Sequence, residues 1–276
     1  MKIIDAHQHF WTYNTHDFDW ITDDMAVIRK DFLPQELQSV YKENNVGGCV
    51  TVQVNQSETE NELFLKYANE NDFIKGTVAW VDLMASAIEE RLAYWQQYKK
   101  LKGFRHILQG EKNRALMLKP SFKNGIALLS KFNFTYDILI FPDQLQYALE
   151  LIKLFPGQKF VIDHLAKPYI RSGEIEQWQK DITQFSQHEN VYCKISGMVT
   201  EADWHDHSSQ TFKPYLDVAV STFGTKRLMF GSDWPVCLVA ASYENVLQIV
   251  KNYFSSFSAD EQENIFSNNA TIFYDL

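Results

Sequence analysis

Two histidines one residue apart, His7-Gln8-His9, stand near the N-terminus. On a strand, positions i and i+2 share a face, so both imidazoles point one way. Such a pair suits a divalent metal, or acts as a polarising pair beside a bound anion. The motif is weak alone, because eight histidines in 276 positions give about 0.23 such pairs by chance. A second pair, His205-Asp206-His207, lies in a polar stretch, where a solvated loop and a loop bordering an active site are both open readings. Other reactive side chains close β-rich runs elsewhere: Arg105 and His106, Tyr136 and Asp137, Asp163 and His164, Lys194, and Asp233 in Gly231-Ser232-Asp233-Trp234-Pro235. One strand-end histidine is ordinary packing; several at equivalent ends indicate a shared mouth. Asp233 is the strongest candidate for proton work, since a carboxylate of ordinary pKa, about 3.9, is ionised at pH 7 and accepts a proton from water. Its competing role is N-cap of the following helix.

Positioning these groups needs a fold that gathers strand ends. Eight β-rich runs fall near residues 2–7, 48–54, 74–81, 102–108, 134–140, 159–164, 190–196 and 227–232. Helical spacing of apolar residues fills the gaps. Leu33, Leu37, Val40 and Tyr41 follow it, with Pro34 suited to a first helical turn, and Ile88, Leu92 and Trp95 repeat it. Leu145, Leu149 and Ile152 follow Pro142; further stripes are Ile175, Trp178, Ile182 and Phe185, then Phe212, Tyr215 and Ala219, then Tyr243, Val246, Leu247 and Val250. Ser57-Glu58-Thr59-Glu60 has the form of a capping box. Eight β-then-α units predict an α/β fold, a single-domain (β/α)8 TIM barrel over residues 1–276, with its chemistry at the C-terminal face. A doubly wound sheet competes, but its Gly-rich first turn is missing: the chain has 11 glycines and neither GxGxxG nor GxxxxGK[ST].

Composition narrows the partners. With 45% hydrophobic residues spread evenly, the chain is globular rather than disordered. The net charge of −9 and the lack of a Lys/Arg stripe argue against nucleic acid and anionic membranes. No apolar run approaches a membrane span, and Asp5 interrupts any signal-peptide core. Three scattered cysteines, Cys49, Cys193 and Cys237, fit a reducing cytosol. Self-association is open.

Together, His7-Gln8-His9 after the first strand, His164 after the sixth and the Gly231-Ser232-Asp233-Trp234-Pro235 block after the eighth resemble the amidohydrolase superfamily. The resemblance is closest to its amidohydrolase-2 branch, which holds sugar lactonases (L-fucono- and L-rhamnonolactonases) and 2-pyrone-4,6-dicarboxylate lactonase. Asp5-Ala6-His7-Gln8-His9-Phe10-Trp11, Gly103-Phe104-Arg105-His106, Asp163-His164-Leu165-Ala166-Lys167-Pro168 and Lys194-Ile195-Ser196-Gly197 are similar to that branch's blocks, from residue 3 to the terminal Asn269-Ala270-Thr271-Ile272-Phe273-Tyr274. Binuclear relatives bridge two metals with a carboxylated lysine or a glutamate at the end of strand four. Here that end reads Arg105-His106-Ile107-Leu108-Gln109. The resemblance therefore implies at most one ion, on His7, His9, Asp233 and His164, an N/O set suited to zinc or manganese. Metal-independent hydrolysis, known in the branch, is the other expectation.

The implied reaction opens a small lactone. Asp233 takes a proton from the attacking water, while Arg105, His106 or His164 donates to the developing oxyanion. Strand alternation lets only one of Arg105 and His106 face the barrel axis, and His106 is expected there. Trp11 offers a flat face to a sugar ring, with Gln53, Gln109, Tyr136 and Asp137 for its hydroxyls. A dicarboxylate would want two or more arginines at the mouth. Only Arg105 is placed there, with Lys194 and Lys167 as lesser cations, which favours a neutral sugar lactone. The alternatives are a metal-dependent carboxy-lyase of the same superfamily and a pyrone-dicarboxylate type of lactonase.

Overall fold

The computed structural model describes residues 2–205 and 208–276; Asp206 and His207, two of the three residues of the second His-x-His motif, lie outside them. Eight parallel strands stand side by side in chain order: β1 (Ile3–Gln8), β2 (Val46–Val52), β3 (Ile74–Ala79), β4 (Leu101–Ile107), β5 (Thr135–Leu139), β6 (Phe160–Ile162), β7 (Val191–Ile195) and β8 (Leu228–Phe230). Parallel neighbours require crossovers, and helices supply them. In order they are α1 (Pro34–Asn44), α2 (Glu58–Glu70), α3 (Ile88–Trp95), α4 (Pro120–Lys131), α5 (Leu145–Leu154), α6 (Glu176–Ile182), the short α7 (Met198–Glu201), α8 (Ser209–Phe223) and α9 (Tyr243–Phe254), with α10 (Ala259–Glu263) and α11 (Asn269–Tyr274) at the end. This is the (β/α)8 barrel expected. All eight β-rich runs are strands, with ends shifted by no more than two residues.

Closure comes just beyond the strands. Gln8 bridges Trp234 in parallel, the Asp233 N–H donates to the His7 carbonyl at 2.8 Å, and the His9 N–H donates to the Trp234 carbonyl at 2.7 Å.

Pleating separates two apolar layers. Ile4, Ala6, Val50, Val52, Val78, Val161 and Met229 fill the lower interior, and Phe273 and Tyr274 of α11 form its floor. The residues of opposite parity, such as Phe104, Tyr136, Phe160 and Phe230, pack outward against the helices. Each such fully buried side chain contributes about 1.5–3 kcal/mol. Helix starts are local: Pro34 opens α1, and the Ser57, Ser242 and Ser258 side chains cap α2, α9 and α10. The expected capping box at α2 forms only in part. Ser57 Oγ accepts from the Thr59 N–H, but Glu60 reaches past the cap to accept from the Val54 N–H at 2.8 Å and the Asn55 N–H at 3.0 Å.

One feature had no periodic signal. Residues 9–32 leave the barrel, pair Trp11 with Phe32, and lay a 3-10 segment (Asp23–Ile28) against the turn at Val236–Val239. Among the described residues no helix is long and apolar enough to cross a membrane.

Candidate active site

A cavity of about 410 Å³ opens at the C-terminal mouth of the barrel, with His9, Arg105, Gln109, His164, Lys167 and Asp233 in its wall. The backbone explains why His7 and His9 both turn inward. A register irregularity between Asp5 and Gln8 moves the inward parity from Ile4 and Ala6 to His7 and His9. Asp5, buried on the other side, accepts from the His7 N–H at 3.2 Å, the Ser232 N–H at 2.9 Å and the Tyr41 hydroxyl at 3.0 Å. Opposite, His164 begins four consecutive left-handed residues, His164 to Lys167, with φ between 52 and 58°. That conformation costs non-glycine residues about 1–2 kcal/mol each, and here it aims His164 and Lys167 at the mouth. Asp233 shares it (φ 59°).

These four side chains meet. Asp233 Oδ1 lies 3.3 Å from His9 Nε2, 3.7 Å from His7 Nε2 and 3.9 Å from His164 Nε2. The two strand-one imidazoles stand 3.2 Å apart through their Nε2 atoms. His9 Nδ1 lies 2.8 Å from the Val52 carbonyl, and His164 Nδ1 lies 2.9 Å from Ser196 Oγ. The N-cap alternative for Asp233 fails: its carbonyl, not its carboxylate, accepts from the Cys237 N–H at 2.9 Å, leaving the carboxylate to the rings.

Below the mouth sits a buried ionic layer. Arg105 Nη1 donates to Asp163 Oδ2 at 2.9 Å and lies 3.3 Å from His7 Nε2, while its Nε donates to Gln53 Oε1 at 2.9 Å and its Nη2 to the Gln53 carbonyl. Lys194 Nζ contacts Asp137 Oδ2 at 2.5 Å, Asp163 Oδ1 at 3.0 Å and His7 Nδ1 at 3.2 Å. The Tyr274 hydroxyl donates to Asp137 at 2.7 Å from the floor.

Burial and neighbouring charges together set the protonation states. Burial pushes His7 well down, against the pull of Asp163, and pushes His164 down to about 4 against Asp233 and Asp163, so both rings are neutral at pH 7. Burial alone would raise Asp233 and Asp163. The surrounding histidines overcome this for Asp233, and Lys194, His7 and Arg105 do so for Asp163, so both are ionised. Asp137 goes the other way, up to about 6, because burial outweighs Lys194.

The donor set fits a single divalent ion. His7, His164 and Asp233 each offer an atom within 4.8 Å of the others, and His9 Nε2 adjoins both His7 and Asp233. His7 Nδ1 faces Asp163 Oδ1 at 3.4 Å and Lys194 Nζ at 3.2 Å, and its Nε2 faces Asp233 Oδ1 at 3.7 Å, on the side where a metal ligand is needed. Nitrogen and oxygen donors of this kind suit zinc or manganese.

Several expectations need correcting. Arg105, not His106, faces the axis: Phe104 packs outward, so alternation turns Arg105 in and His106 out. His106 lies between Phe122 of α4, Trp80 and Glu111, with Nε2 2.9 Å from the Glu111 carboxylate. Tyr136 points out by the same parity, against Phe122 and Phe160. Asp137 points in but lies beneath the cavity, fully buried on Lys194, as does Lys194 itself. Gln53 braces Arg105 rather than lining the wall. Trp11 is 2% exposed and backs Trp20, one of two indoles on the cavity wall. Gln109 does line it. Sequence reasoning missed Trp20, Glu201 and Trp204 on the wall, and Asp163 as the acid that anchors Arg105. Only Asp163, beside a strand-end histidine, carried a signal.

The chain belongs to the amidohydrolase family, whose model matches residues 4–276. An L-fucono-1,5-lactonase from Burkholderia multivorans is 36% identical over 284 residues, covering 99% of this chain and 96% of that protein. An L-rhamnono-gamma-lactonase from Scheffersomyces stipitis is 26% identical over 204 residues, 65% of this chain and 60% of the relative. A crystal structure of an amidohydrolase from Burkholderia multivorans with bound zinc matches with a TM-score of 0.96 and 36% identity, covering 100% of both chains.

Proposed function

We propose that this member of the amidohydrolase family opens a small sugar lactone, of the L-fucono- or L-rhamnonolactone type, by Asp233-assisted attack of water on the ring carbonyl. The observation that carries it is Asp233 Oδ1 standing 3.3–3.9 Å from three imidazoles at the base of a cavity of sugar size. The lactonase names of full-length and partial relatives support the ester rather than the amide reading.

As water oxygen bonds to the carbonyl carbon, its acidity rises and Asp233 takes one of its protons. The carbonyl oxygen becomes negative near Arg105, whose guanidinium is pinned in advance by Gln53 and Asp163 and needs no reorganisation. The ring C–O bond then breaks, and Asp233 returns the proton to the departing alkoxide. A divalent zinc or manganese ion on His7, His9, His164 and Asp233 would supply Lewis acidity at the same place.

The same reading takes residues 1–276 as one domain in the reducing cytosol, supported by the unbroken eight-strand order and three free, buried cysteines. The test is a pH-indicator assay over a panel of aldonolactones. Acid release well above the spontaneous rate on at least one is expected; background rates across the panel would refute the proposal.

A further inference from the structure

We infer that the Lys167–Glu201 ion pair, with Gln109 beside it, reads the hydroxyls of the sugar lactone at the cavity rim and so sets the preference for a hydroxylated ring over a bare or a charged one. This rests on the lactone hydrolysis proposed above. Lys167 ends the left-handed run after β6, Glu201 ends α7, and Lys167 Nζ meets Glu201 Oε1 at 3.0 Å with the two side chains only 17% and 20% exposed. A carboxylate beside an ammonium offers an acceptor and a donor one hydroxyl spacing apart, which suits adjacent hydroxyls of a sugar ring. Gln109 Oε1 is buried in the same wall with no hydrogen-bond partner. Such an orphaned acceptor is costly until a donor arrives. Trp20 and Trp204 add indole surface for the C–H face of a sugar.

Charge decides against a diacid. Among the described lining residues only Arg105 and Lys167 are cations, and each is already paired, at 2.9 Å to Asp163 and 3.0 Å to Glu201. Two substrate carboxylates would meet no unpaired side-chain cation in this wall and would face Asp233 and Glu201.

The test is a ratio: kcat/KM for a hydroxylated aldono-1,5-lactone over that for δ-valerolactone, the same ring without hydroxyls. Both are measured on one preparation, so the ratio does not depend on how much protein is folded. Glu201→Gln and Lys167→Met are each expected to lower it about 10–100-fold, chiefly through KM. A ratio within twofold of the unsubstituted protein in both variants would overturn the inference, as would faster turnover of a dicarboxylate lactone than of the neutral one. Failure of the unsubstituted protein to open any lactone would instead overturn the lactonase reading, and this inference with it.

Discussion

The backbone N–H of Asp233 donates to the carbonyl of His7 at 2.8 Å, so the hydrogen bond that seals the barrel also sets the spacing of its acid and its first imidazole. Residues more than two hundred apart in sequence are thereby held by main chain rather than by flexible side chains. Asp5 tightens the seam by accepting from the Ser232 N–H at 2.9 Å.

That seam leaves no room at Gly231. A Cβ there would lie 2.7 Å from His7 Cβ and 3.2 Å from the His7 nitrogen. Gly231→Ala should push His7 off Asp233 and lower kcat by about tenfold to a hundredfold, with a smaller loss of thermal stability. Steady-state kinetics beside a melting curve checks this; full activity would mean that the spacing tolerates movement.

Arg105 and His106 are neighbours with opposite fates. Arg105→Lys keeps the charge but cannot hold Gln53 and Asp163 together, and about a hundredfold loss in kcat is expected. His106→Gln, behind the barrel wall, should cost less than about threefold, as a change outside the reacting centre does. The reverse order of severity would restore His106 to the site.

Glu60 gives a pH signature. Burial raises its carboxyl from an ordinary 4.5 to about 8, despite hydrogen bonds from the Val54 and Asn55 N–H groups. Below pH 4.5 folded and unfolded chains both hold the proton, and its stabilising contribution is complete. Between 4.5 and 8 only the folded chain keeps it, so that contribution falls as pH rises. Against Glu60→Gln, which does not titrate, the parent should lose about 2–5 kcal/mol of relative stability between pH 4.5 and 9. Urea titrations at a series of pH values measure it; parallel curves would contradict it.

Metal occupancy is open to direct titration. Chelated protein should take up one zinc per chain by calorimetry, and His164→Ala should weaken that binding at least about tenfold, as loss of a ligand outweighs loss of a supporting group. Unchanged affinity in the variant would place any ion elsewhere.

The barrel was legible because eight β-rich runs alternate with helical stripes, a pattern set by local chain preference. Strand ends then located His7, His9, His164 and Asp233. Parity was harder to read: the irregularity at Asp5–Gln8 and the outward turn of Phe104 decide which side chains face the axis, and neither has a sequence mark. Trp20, Glu201 and Trp204 sit on excursions whose path depends on tertiary packing, so their place on the wall was invisible. Trp11 shows the converse, a conspicuous aromatic that stays buried and packs at 6.1 Å behind Trp20 of the cavity wall.

The most direct measurement is kcat of Asp233→Asn on the best aldonolactone, with circular dichroism to confirm the fold. Asparagine keeps the shape but takes no proton, so a loss of at least about a hundredfold is expected in a normally folded protein. Turnover close to that of the parent would remove Asp233 from the chemistry and leave the convergence of three histidines on it without a catalytic meaning.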